Sequence, residues 1–141
     1  MAPGPFHSGD EFPGLFQRNG PVHTRFAQIT DGQSKTLMFG EVRPLCNSSV
    51  RRGWAWTNNS QGLNTTVVPM NFDSCHDRAE EGKGCTDPAG WASPFGFKSS
   101  HRGGVHFVMA DNSVHFLDED IDMQLYQYLG HKSDGESVES P

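Results

Sequence analysis

The chain has 141 residues and a net charge of −6, with 34% apolar and 20% charged residues. That length suits one domain, and the frequent Gly (16) and Pro (9) point to a loop-rich, mainly β fold with a modest core. Ten Phe and three Trp argue against disorder, the lack of clustered Lys and Arg excludes nucleic-acid binding, and no apolar run reaches the roughly 20 residues that span a bilayer.

Residues 1–23 are rich in Gly and Pro and read as an irregular lead-in. The start, Met1 to Phe6, lacks the basic and apolar regions of a secretion signal. The first organised segment is residues 24–29, followed by the turn signal Thr30-Asp31-Gly32. Residues 36–42 (TLMFGEV) predict a strand ended by Pro44. Residues 44–100 read as long loops. The clearest element is a hairpin over about 104–117, with Asp111 and Asn112 as a two-residue turn. That turn pairs Met109 with Val114 and Phe107 with Phe116 on a core face, and sends His106 and His115 to the opposite face. A helix is expected over about 119–130, capped by Asp118 or Asp120. Ile121, Leu125 and Leu129 give it an apolar stripe, and Gly130 suits its C′ position. The expected class is therefore α+β, mainly β: a small antiparallel sheet with a central hairpin and a C-terminal helix. Residues 24–132 form one globular domain, and 133–141 a polar tail.

Few residues carry chemistry. Cys75 and Cys85 bracket a polar loop that a disulfide can staple, contributing about 2–3 kcal/mol; three free thiols are the alternative, and Cys46 can take either partner. Trp54, Trp56 and Trp91, with Asn58 nearby, can form a ligand surface for a glycan, although filling a small core explains the Trp residues more simply. Zinc can be drawn from His101, His106, His115 and Cys75 or Cys85, but the spacing matches no zinc motif, so no metal ligands are assigned. Asp118, Glu119, Asp120 and Asp122 offer oxygens to calcium without the EF-hand spacing, and a helix start explains them. No Ser sits in a nucleophile elbow, so no catalytic residue is assigned, and no cofactor is expected.

The spacing from His101 through nine residues to Asp111-Asn112 resembles the "His, nine residues, Asp-Gly" signature of the prepilin-type processing-associated domain. That domain ends the bacterial family called domain of unknown function 1559. Gly103-Gly104-Val105, Ala110-Asp111 and Phe116-Leu117 match around it. Upstream, residues 26–37 (FAQITDGQSKTL) with Gly40-Glu41 resemble a second block, and residues 14–19 the block before it. Asn112 stands where the family has Gly; Asn also tolerates left-handed backbone. Members begin with a prepilin leader and a long apolar helix, so this chain resembles the C-terminal globular head without that helix. The resemblance implies a non-enzymatic pilin-like or pseudopilin-like protein, exported to the periplasm or cell surface. Its implied partners are other pilin-like subunits or envelope components, and its role structural or adhesive. A glycan- or solute-binding module is the alternative, and a metal-dependent enzyme a remote one. Within the signature, His101 is expected to be a hydrogen-bonding post for the loop entering the hairpin. Gly103 and Gly104 permit its tight approach, and Asp111 with Asn112 forms the turn.

Overall fold

A computed structural model describes residues 14–16, 23–43, 58–59, 62–72 and 95–136. The elements are β1 (Leu37–Gly40), β2 (Asn58–Asn59), β3 (Gly62–Leu63), β4 (Gly104–Met109), β5 (Val114–Asp118) and α1 (Met123–Gly130), with 3-10 turns at Phe26–Gln28 and Gln33–Lys35. β1, β4 and β5 form an antiparallel sheet with β4 central, and β2 and β3 make a small parallel pair. The α+β, mainly β class expected from the sequence holds.

The hairpin exists, but its register differs by one residue from the sequence expectation. Val108 pairs with Val114, Phe107 with His115, His106 with Phe116 and Val105 with Leu117. The turn causes the shift. Asn112 N–H donates to the Met109 carbonyl (3.0 Å), and Met109 N–H donates to the Ser113 carbonyl (2.9 Å). Asn112 has φ +71°. This is a three-residue loop, Ala110-Asp111-Asn112, closed by a left-handed residue, instead of a two-residue turn. Because side chains alternate across a strand, one extra loop residue exchanges the faces of β5. Leu117 therefore enters the core at 2% exposure, while Phe116 (47%) and Val114 (64%) turn to solvent.

The inner face packs Leu37, Val105, Phe107, Met109 and Leu117 against Tyr126 and Leu129 of α1. Each large apolar side chain so buried contributes about 1.5–3 kcal/mol. Phe107 meets Phe97 edge-on at 5.0 Å and Tyr126 at 6.1 Å. β1 bulges between Leu37 and Phe39, which brings Gly40 opposite Phe107 on the inner face. A Cβ at Gly40 would lie 2.6 Å from the Phe107 ring, so the close packing requires glycine there.

The helix is shorter than expected. It starts at Met123, because Asp122 caps it by accepting the Leu125 N–H at 2.9 Å. Asp118 serves a different end: its carboxylate accepts the Asp120 N–H (2.8 Å) in the preceding turn. Tyr126 and Leu129 are fully buried, while Ile121 and Leu125 of the expected stripe pack at the margin. Gly130 is the last helical residue, and extended His131 is the cap. Beyond it, Asp31 accepts the N–H groups of Asp134 (2.8 Å) and Gly135 (2.9 Å), tying residues 103 and 104 positions apart. Among the described residues no helix is long and apolar enough to cross a membrane.

Candidate functional site

Glu41 follows β1, and its backbone is paired on both sides. Its N–H donates to the His106 carbonyl (3.3 Å), and its carbonyl accepts the Lys98 N–H (3.0 Å). The alternation of β1 and β4 puts the Glu41 carboxylate and the His106 ring together on the outer face of the sheet. Glu41 Oε2 accepts the backbone N–H of His106 at 2.8 Å and lies 3.4 Å from His106 Nδ1. Oε1 lies 3.3 Å from His101 Nε2. The two imidazoles meet edge to face at 4.7 Å, and the Phe116 ring holds His106 from its other side at 4.9 Å.

A chain of bonds fixes this corner. The His101 N–H donates to Ser99 Oγ (3.1 Å), the Ser99 N–H donates to Asn71 Oδ1 (2.8 Å), and Asn71 Nδ2 donates to Glu119 Oε2 (2.7 Å). Partial burial pushes the Glu41 carboxyl up, but the His106 N–H, the Ser99 hydroxyl and the His101 charge outweigh it, leaving it below the usual carboxylate range. A half-open recess of about 260 Å³ adjoins the corner, between Glu41, Arg43, Lys98 and His101.

The family signature spans β4. His101 and Asp111 flank the six residues of that strand, which alone extend about 20 Å. Both ends are tied to the upstream block. His101 meets Glu41. At the far end, the Ala110 N–H donates to the Thr36 carbonyl (2.8 Å) and the Asp111 N–H to the Gln33 carbonyl (3.2 Å). The Asp111 carboxylate accepts the Ser113 N–H (2.9 Å) and hydroxyl (2.6 Å), and these bonds hold it below the usual range. Gly103 has φ +82°, and a Cβ on Gly104 would collide with the Leu117 carbonyl oxygen. These contacts give each signature residue a structural task.

The zinc set drawn from the sequence is only partly assembled. His101 and His106 meet, but His115 pairs with Phe107 on the other face and contacts Ser113 Oγ at 3.1 Å. Glu41, which the sequence reading left out of any ligand set, takes the third place; its pairing to His106 spans 65 residues and leaves no local signal. The acidic run has separate partners: Asp118 and Asp122 cap turns, and Glu119 binds Asn71. Cys46, Cys75, Cys85, Trp54, Trp56 and Trp91 lie outside the described residues, as does the side chain of Asn58, whose backbone belongs to β2.

A second polar cluster went unread in the sequence. Asp31, His131 and Asp134 bury their side chains to 5%, 7% and 9% exposure. Burial holds the His131 imidazole below its ordinary value, opposed by the charges of Asp134 and Asp31. Burial likewise raises the Asp134 carboxyl. His131 Nδ1 accepts the Ser133 N–H at 3.0 Å, which fixes that nitrogen as the unprotonated one.

The family described as "Protein of unknown function (DUF1559)" matches residues 7–124. No curated protein and no solved structure matches the chain. The matched span contains the upstream block at 26–41 and the His101–Asp111 signature that this sheet knits together, and the chain belongs to the DUF1559 family.

Proposed function

We propose that this chain is a non-enzymatic, pilin-like or pseudopilin-like exported protein, a structural or adhesive subunit of an envelope-associated pilus or secretion-type assembly. The prepilin-type signature carries the reading: His101 and Asp111 secure opposite ends of one strand, which is the work of a scaffold. The outer sheet face supports it. Phe39, Val114 and Phe116 are 56%, 64% and 47% exposed, and Phe16 stacks on Phe39 at 5.5 Å. An apolar face of this kind suits contact with a neighbouring subunit.

The test is photo-cross-linking in cells that express the natural protein, with the cross-linking amino acid at position 39 or 114. The expected products join this chain to other envelope subunits. A chain recovered only as monomer from the cytosolic fraction would overturn the reading. Cross-linked glycan with no protein partner would replace it by the binding-module alternative.

A further inference from the structure

Glu41 comes from just after the end of β1 and His101 and His106 from the stretch that enters β4, and ligand atoms of the three all lie within 4.8 Å of one another. The spacing differs from that of simple ion pairs. Charge-assisted N–H···O contacts close to about 2.7–2.9 Å, whereas the two imidazole–carboxylate distances are 3.3 and 3.4 Å. A tetrahedral ion with bonds of about 2.0–2.1 Å sets its ligand atoms about 3.3–3.4 Å apart, and each imidazole nitrogen keeps that spacing from a different oxygen of the one Glu41 carboxylate. We propose that Glu41, His101 and His106 form a binding site for a zinc-class divalent ion at the edge of the outer sheet face.

The donor set selects the ion. Two imidazole nitrogens and one carboxylate suit zinc and its transition-metal neighbours, while calcium and magnesium take oxygen ligands. The surroundings orient the ligands before any ion arrives. The His106 N–H holds one carboxylate oxygen, Phe116 packs on the His106 ring, and Ser99 fixes the His101 backbone. Supports of this kind around ligands raise affinity. The solvent side stays open, so the fourth position takes water or a side chain from a neighbouring protein. The Asp31–His131–Asp134 cluster does not compete as a site. His131 Nδ1 already spends its single lone pair on the Ser133 N–H.

The test uses the full chain, stripped with a chelator and titrated with zinc chloride. Calorimetry follows uptake, and NMR of the histidine rings locates it. Stoichiometric uptake should shift the His101 and His106 resonances and leave His115 in place. The variants H101Q and H106Q should each weaken binding beyond the roughly 10–100-fold loss typical of a supporting residue, and replacing Cys46, Cys75 and Cys85 by Ser should change nothing. No uptake, uptake that leaves the two rings unshifted, or uptake that disappears with the cysteines would overturn the proposal. The ring shifts are read on the natural sequence, so a variant that folds poorly does not spoil the test.

Discussion

Leu117→Ala shrinks an isobutyl group to a methyl inside the contact between the hairpin and α1. Leu117 is 2% exposed and shares its face with Val105, Phe107 and Met109. At about 0.8 kcal/mol per buried methylene, the lost transfer energy is about 2 kcal/mol, and the cavity left among Phe107, Tyr126 and their neighbours raises the cost to about 3–4 kcal/mol. Phe116→Ala removes a larger side chain from a site that is 47% open to water, where its main ring contact is His106. It should cost only about 1 kcal/mol, because the exposed half of the ring gains little from folding. Urea denaturation of the two variants beside the natural sequence measures both. With a slope of about 1.5 kcal/mol per molar, Leu117→Ala should lower the midpoint by about 2 M, several times the shift from Phe116→Ala. The reverse order would show that Phe116 is the core residue and that the two-residue turn, with its other register, is the real one.

Tyr126 is fully buried, and its hydroxyl has no hydrogen-bond partner among the described residues; burial also pushes its ionisation well above the ordinary phenol value. Tyr126→Phe should therefore leave stability unchanged or raise it by about 1 kcal/mol, and a loss of more than about 1 kcal/mol in urea denaturation would reveal a bond to that hydroxyl. The buried His131 has a lowered pKa, so the unfolded chain takes up its proton first as pH falls below 6.5. Stability should then decline with falling pH from that point until the folded form also protonates. His131→Asn should flatten this part of a midpoint-against-pH curve recorded between about pH 5 and 7. Asp134 acts with the opposite sign, its raised carboxyl favouring the folded form as pH falls towards 3.8. An equally steep decline below pH 6.5 in His131→Asn would place the titrating group elsewhere.

The sequence reveals what local pattern controls. The alternating run at 104–117, the turn residues between its halves and the apolar spacing of 121–129 announce a hairpin followed by a helix. What it hides depends on choices between near-equal local options or on distant partners. Asp111-Asn112 suits a two-residue turn, and only the inclusion of Ala110 in the loop reverses β5. Asp118, Asp120 and Asp122 can each cap a helix; the turn closed by the Ile121 N–H on the Asp118 carbonyl delays the start to Met123. Tyr126 does not stand out from Tyr128 until the sheet shows which side the core lies on. Glu41 with His106, and Asp31 with Asp134, are joined across 65 and 103 residues, and no periodicity records such a pairing. The signature spacing itself was visible, but its physical meaning, the length of β4 with a fastening at either end, needed the strand.

The proposed pilin-like role requires display of this domain at the cell envelope. The most direct measurement is protease shaving of intact and osmotically shocked cells, followed by detection of the Gly104–Asp118 hairpin region with an antibody raised against the folded chain. The account predicts that the domain fractionates with the envelope and is cut by protease added outside the inner membrane, while a cytosolic marker survives. A domain that stays intact and co-fractionates with that marker would contradict it.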